Sequence, residues 1–343
     1  MNSTPESDPV PGLRIRAFRE ADYPAAVALV NRCFPEYPDT VADWTHGDAH
    51  RNPKLVFQRL VAELDGAIRA VGFYGQYEGM FHPRKFGWEV SVDPDWRRRG
   101  IGGAFYAQVL SALEAHDPIT LWTEAREDHA HSRRFVESRG YVEVMREWEN
   151  HLRPTDFDPA RWEGRIERVI ESGIRMATYA ELEREDPEFF VKLFDLVMEV
   201  DRDVPSPEAS TRPDFALWVE RLRSNHNLIA DGYFIAVDGE RYVGLSTLYR
   251  SEAAEFLYTG LTGVRRDWRR RGIALALKLR AIEHCRREQV PLVKTWNAST
   301  NTGMLGINEA LGFVRQPAWI NYALQLAEDP AEEPAADSAE SGG

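Results

Sequence analysis

The heptapeptide Asp-Trp-Arg-Arg-Arg-Gly-Ile occurs twice in this chain, at residues 95–101 and 267–273. A β-branched segment precedes each copy and a helical pattern follows it. Glycine at a strand-to-helix turn lets main chain approach an anion closely, and the unpaired N–H groups of the first helical turn point at it. The chemistry is recognition of a phosphorylated ligand. The chain carries the device twice, 172 residues apart in a length of 343.

The repeat extends beyond the loop. Val61-Ala62-Glu63-Leu64-Asp65-Gly66 recurs as Ile235-Ala236-Val237-Asp238-Gly239, Val71-Gly72 as Val243-Gly244, and Gly140-Tyr141 as Gly312-Phe313. Matched blocks in one order at nearly one spacing mean a duplicated domain, not a solenoid of short repeats. The expected units are an N-terminal domain over 12–152, a connecting helix over 153–172, a C-terminal domain over 173–327 and a tail over 328–343. In each unit, alternating segments and turn signals predict strands at 13–18, 55–64, 67–74, 86–92, 119–122 and 141–148, and at 174–178, 228–237, 242–248, 256–264, 292–296 and 319–326. Helical patterns at 20–31, 100–115 and 129–139, and at 187–200, 215–222, 273–287 and 302–311, pack on them. Asp158-Pro159 supplies a cap and first-turn proline for a helix at 160–172. The fold class is α/β: two mixed sheets, each flanked by helices and each closed by its own last strand.

Composition excludes several classes. The chain is 43% hydrophobic and 28% charged, as in an ordinary globular protein, and no apolar run suits a bilayer. Residues 1–11 lack the basic start and apolar core of a signal peptide. Cys33 and Cys285 offer neither a disulfide framework nor metal spacing, which points to the cytoplasm. Net charge is −13; without the six carboxylates of the tail, expected to be disordered, the body carries −7. That balance speaks against nucleic acid as a partner and is compatible with cationic amines, and without an apolar run no membrane partner is expected. A monomer or homodimer is expected.

With its flanking elements, the loop resembles that of the GNAT superfamily of acetyltransferases, whose pyrophosphate loop reads Gln/Arg-x-x-Gly-x-Gly/Ala. Arg97, Arg98, Arg99, Gly100, Ile101 and Gly102 fit, followed by Gly103, and so do Arg269, Arg270, Arg271, Gly272, Ile273 and Ala274. The preceding strands end at Val92 and Val264. Downstream, Asn297, Asn301 and Asn308 lead into Leu311-Gly312-Phe313, as in the family; the first half matches less closely through Val136 and Gly140-Tyr141. The tandem layout is similar to that of mycothiol-synthase-like double GNAT proteins. The resemblance implies acetyl-CoA as cosubstrate with no metal, its pyrophosphate on both loops, and an amine attacking the thioester directly. It also implies that the splayed strand at 90–92 or 262–264 polarises the thioester carbonyl through a main-chain N–H.

Catalysis needs a proton acceptor for the amine. Glu89 is the candidate in the first half; Asp203, with Asp201 and Glu255 as alternatives, is the candidate in the second. The tyrosine usual in the family falls at Val136 and Asn308. Asn308 can donate a hydrogen bond to the departing thiolate and Val136 cannot, so sequence favours the C-terminal half as catalyst. The competing expectation is a non-catalytic acyl-CoA-binding protein. His129 and His131 read as polar helix-start residues, and the loops at 34–52 and 201–213 are expected to shape the acceptor sites.

Overall fold

Alternating apolar residues and a left-handed turn at Asp65-Gly66 (φ 53° and 72°) pair β2 (Phe57–Leu64) with β3 (Ala67–Gly75) in antiparallel register. β1 (Arg14–Ala17) adds to the outer edge of β2, and β4 (Lys85–Val92) pairs antiparallel with β3. β5 (Thr120–Arg126) lies parallel to β4 and β6 (Val142–Leu152) ends the half. Helices α1 (Tyr23–Cys33), α2 (Val41–Ala49), α3 (Ile101–Leu113) and α4 (Ala130–Glu137) cover this sheet. The computed structural model describes residues 10–329, so nearly all of the expected signal-free start and acidic tail lie outside the described residues.

The linker is shorter as a helix than expected: Gly164 at φ 71° separates a 3-10 turn from α5 (Arg165–Glu171). The second half then runs β7 (Ile174–Thr178), α6 (Tyr179–Glu185), α7 (Phe189–Asp201), α8 (Phe215–Ser224), β8 (Phe234–Asp238), β9 (Arg241–Ser251) and β10 (Ala254–Val264). It closes with α9 (Ile273–Arg287), β11 (Leu292–Ala298), α10 (Thr302–Ala310), β12 (Val314–Arg315) and β13 (Trp319–Gln325). Expected strand 228–237 is interrupted by a turn at Ala230–Gly232, leaving Leu228 as a single bridge to Tyr249.

The two halves do not form separate sheets. One continuous sheet runs β1-β2-β3-β4-β5-β13-β6-β11-β10-β9-β8-β7, with β12 added beside β6. The order is palindromic when β6 and β13 are treated as equivalents, so a pseudo-two-fold axis passes between them. Each half therefore lends its last strand to the other. β13 pairs with β5 from Trp319↔Arg126 to Gln325↔Thr120, and β6 pairs with β11 from Leu152↔Val293 to Glu147↔Ala298. This corrects the expectation that residues 141–148 and 319–326 close their own units.

The cores record the exchange. Ile320 and Tyr322 of β13 are buried with Trp88, Phe105, Tyr106 and Tyr141 of the first half. Leu152 of β6 is buried with Ile273, Leu277, Val293 and Phe313 of the second. Polar ties add to this: buried Lys85 on β4 reaches Glu208 at 2.7 Å and Asp329 at 3.0 Å. The loop at 201–213 leans onto the first half, where Thr211 Oγ1 accepts from Phe81 N at 3.0 Å.

Residues 10–152 produced alone would expose the long edge of β5 and lose Ile320 and Tyr322 from the core. The expected outcome is insoluble protein from either half alone and soluble complex on co-expression, read by gel filtration of the two lysates.

Candidate functional site

Both heptapeptide loops adopt one conformation. Arg98 (φ 62°) and Gly100 (φ 83°) are left-handed, as are Arg270 (φ 65°) and Gly272 (φ 82°), and α3 and α9 start at the next residue, Ile101 and Ile273. Left-handed residues alternating with others turn successive N–H groups toward one point, an anion cradle continued by the helix N-terminus. The first arginine of each triplet folds back: Arg97 Nε donates to Val92 O at 3.2 Å and Arg269 Nε to Val264 O at 3.0 Å. Arg99 and Arg271 donate to the carbonyls of Asp95 and Asp267. These arginines hold the loop's shape, a role that spacing alone did not disclose. A Cβ on Gly102 would meet Phe135 and Val92 at ordinary contact distances of 3.4 and 3.6 Å, which is why Ala274 serves at the second copy.

Next to each cradle the sheet opens. β4 pairs with β5 only over Lys85–Gly87 and Thr120–Trp122, and β10 with β11 only over Phe256–Tyr258 and Leu292–Lys294. Beyond those pairs the strands diverge. In the first half the gap widens into a cleft of about 910 Å³ through the sheet. Its loop side carries Val92, Arg97, Arg98, Gly100, Gly102, Gly103 and Phe135; its other side carries Glu89, Glu124, Phe73, Arg59, Trp44 and Trp319.

Glu89 and Glu124 stand on the two diverging arms, each two residues past the last pair, Gly87↔Trp122. Burial pushes Glu89 up to about 7. Burial, and then the charges of Glu89 and Glu147, push Glu124 to about 8. Glu124 stays open to solvent, and it lines the cleft, so it is deep but wet. The charge of Glu89 acts on Glu124, so together they hold a proton that a lone carboxylate would lose, and the titration belongs to the pair. Glu147, raised mainly by burial, accepts from Asn321 Nδ2 at 3.4 Å. The Tyr77 ring packs against Gly87, where a Cβ would come within 2.3 Å of it.

The rest of the cleft was only partly foreseen. Val136 lines it, as placed by spacing, and so do His129 and His131, which burial keeps below the ordinary histidine range. The sequence pattern stops this strand at Trp122 and so hides Glu124, whereas β5 continues to Arg126. Trp319 was missed because it arrives from the other half, packing 5.7 Å from Phe34 and 5.5 Å from Tyr37 between ring centroids.

The second half differs at the matching positions, 172 residues on. Leu261 stands for Glu89 and Trp296 for Glu124. Trp296 lies 5.6 Å from the Tyr258 ring across the gap. Val200 of α7 occupies the space of any Cβ on Gly263, 2.1 Å away, so α7 is pressed onto β10. Asp203 is ion-paired to both Arg266 and Arg269, and the Arg266 guanidinium first of all holds its carboxyl below the usual range. Asn308 is buried and donates Nδ2 to Asn297 Oδ1 at 2.6 Å, while Asn301 caps α10 by accepting from Met304 N at 3.2 Å. Of the alternatives to Asp203, Asp201 accepts from Ser210 and Glu255 is exposed on β10.

Similarity to known proteins extends over both halves. The family model described as "Acetyltransferase (GNAT) family" matches residues 16–141 and again 182–313. The [ribosomal protein bS18]-alanine N-acetyltransferase of Salmonella typhimurium is 36% identical over 55 residues, 16% of this chain and 37% of that protein. The chain thus spans little more than a third of that relative's length. An acetyltransferase of Pectobacterium atrosepticum is 31% identical over 121 residues, 34% of this chain and 79% of that one. Among solved structures, a tandem GNAT protein from the clavulanic acid biosynthesis pathway superposes with TM-score 0.70 at 18% identity, covering 92% of this chain and 99% of its own. A GCN5-related N-acetyltransferase from Sphaerobacter thermophilus gives 0.68 at 19%, covering 93% and 97%. At such identities these two share the fold.

One buried charge in the second half has a measurable cost. Lys278 of α9, where the first half has Tyr106, is buried with its Nζ 5.2 Å from the Phe313 ring, and burial pulls its pKa down to about 8. The unfolded chain holds this proton up to about 10.5, so folding releases it and stability rises with pH between those values. Lys278→Met is expected to stabilise the protein at pH 7 by roughly 2–3 kcal/mol, with the gain shrinking toward pH 10, as read by denaturant melts.

Proposed function

Because the chain belongs to the GNAT acetyltransferase family, we propose that it transfers acetyl from acetyl-CoA to a primary amine, and that the amino-terminal half does so. The observation that carries this reading is the carboxylate pair Glu89–Glu124, set on the splayed arms of an open cleft. The cradle at Arg98–Gly103 and the start of α3 suit the pyrophosphate of acetyl-CoA, and the gap between β4 and β5 suits its pantetheine arm. Past Gly87, alternate residues of β4 turn their N–H groups to the gap instead of to a strand. An N–H there polarises the thioester carbonyl and stabilises the oxyanion of attack.

The amine enters from the face bearing Glu89, Glu124 and Glu147, which attract it as a cation. With one proton between them, the pair still holds a carboxylate that takes the ammonium proton, leaving the neutral nucleophile beside the thioester. Nitrogen attacks the carbonyl carbon, the carbon–sulfur bond breaks, and the thiolate leaves past Val136, which offers it no proton; the second proton, shed by the nitrogen as the amide forms, passes to the thiolate through water. The second half lacks both carboxylates, and its Asp203 is tied to two arginines. We assign it the support of β13 and the binding of a coenzyme without turnover, in place of the catalytic role that Asn308 suggested. The acceptor is a small molecule or a peptide. Among the described residues no helix is long and apolar enough to cross a membrane.

Thiol release from acetyl-CoA with a panel of amines tests the assignment. Glu89→Gln and Glu124→Gln should each lower kcat about 100-fold or more, the ordinary contribution of a general base. In the parent, kcat should rise with pH through about 7 as the pair ionises. Both carboxylates are raised on folding, so the folded state binds extra protons and stability falls as pH rises through that window. Either variant should therefore melt higher than the parent at pH 8. Full turnover in both variants would remove the pair from the mechanism.

The loops can be separated. Valine at the left-handed position of Gly100 costs about 1–2 kcal/mol and crowds the cradle, so Gly100→Val should raise the acetyl-CoA KM about tenfold or more. Gly272→Val should leave kcat and KM within about twofold while removing coenzyme bound to the second half, counted by equilibrium dialysis.

A further inference from the structure

We propose that Asp43, His226 and Glu252 bind one Zn2+ ion across the interface between the two halves. No spacing in the sequence suggests it, since Asp43 and His226 are 183 residues apart. Asp43 is the third residue of α2 and closes its capping box: Oδ2 accepts from Thr40 N at 2.9 Å and Thr40 Oγ1 at 2.6 Å. That fixes the carboxylate and turns Oδ1 outward, where His226 Nε2 lies 3.0 Å away. Glu252, in the turn between β9 and β10, places Oε2 at 3.8 Å from the same nitrogen. All three donor atoms lie within 4.8 Å of one another.

An ion pair alone accounts for Asp43 and His226 but leaves Glu252 too far away for a hydrogen bond. A tetrahedral Zn2+ with bonds of about 2.0–2.2 Å sets neighbouring donors roughly 3.3–3.6 Å apart. The separations of 3.0 and 3.8 Å bracket that edge, and the third, between the two carboxylates, is within 4.8 Å, so side-chain rotation of the exposed Glu252 closes the site. Two carboxylates beside one imidazole leave negative charge for a divalent cation to balance. Imidazole with carboxylates suits zinc, whereas calcium and magnesium take shells of oxygen.

The surroundings fit a built site. Asn227 Nδ2 donates to Asp43 Oδ1 at 2.7 Å, the outer contact that orients a ligating carboxylate, and its own Oδ1 is buried with no hydrogen-bond partner. His46 stands edge-on to His226 at 5.3 Å between centroids, a further imidazole at the same spot. The ion would join α2, the segment after α8 and the β9–β10 turn. The first of these carries Trp44, whose Nε1 donates to Asp39 at 3.0 Å, and both residues line the catalytic cleft. Zinc here would lock the cleft's acceptor wall to the opposite half.

The test uses the full chain, stripped by chelator and titrated calorimetrically with Zn2+. One ion per chain is expected, with affinity at least tenfold weaker in His226→Ala and in Glu252→Gln. His116→Gln, whose ring packs on Phe86, should bind as the parent does. Co2+ should give tetrahedral visible bands that the double variant H226A/E252Q loses, and excess Mg2+ should not compete. Glu252 is 40% exposed, so its variant keeps the parent's melt without metal and separates lost ligation from lost folding. No saturable Zn2+ binding, or stoichiometric binding unchanged in the double variant, overturns the proposal.

Discussion

The antiparallel ladder between β6 and β13 is the constraint on which the molecule depends. It runs from Trp319↔Glu147 to Ala323↔Val142 at the centre of the sheet. Because each of these strands comes from the opposite half, neither core is complete without it. The linker 153–173 makes the exchange intramolecular, so its second strand docks at an effective concentration that no separate subunit supplies. Trp319 then reaches the cleft of the half to which it does not belong in sequence.

Within this symmetric frame the side chains have diverged in chemistry while the main chain has not. Both loops keep the same left-handed residues and both strand pairs open at the same place. Glu89 and Glu124 meet Leu261 and Trp296 as counterparts, Val136 meets Asn308, and Tyr106 meets Lys278. The cradles are formed by backbone, which tolerates drift around it. A proton acceptor depends on two particular carboxylates and is lost in single steps.

The loops, the hairpins and the duplication were legible because they are local: Gly100 and Gly272 announce a left-handed turn, and Asp65-Gly66 a hairpin. Strand exchange was not, since residues 142–152 read as the same strand whichever neighbour they pair with. The expected catalytic half followed from Asn308, whose spacing is visible, although the structure seals that side chain against Asn297. The carboxylate pair was illegible for a different reason. Glu89 and Glu124 are 35 residues apart on strands that only the fold sets side by side, and their depth in the cleft together with neighbouring carboxylate charge, not residue type, raises their affinity for a proton. Likewise Asp203 looks like a base in sequence and becomes a counter-ion once Arg266 and Arg269 close on it.

The palindromic order of the sheet bears on how the polypeptide is threaded. β6 ends at Leu152 in the middle of the sheet and β7 begins at Ile174 on its far edge, and the residues between them cover that distance past α5. By the pseudo-two-fold relation, the end of β13 and the start of β1 are separated by an equivalent path. A tether of similar length across that path, with the natural one opened, would give a circular permutant whose halves are read in reverse order. The architecture is therefore indifferent to which half the ribosome makes first.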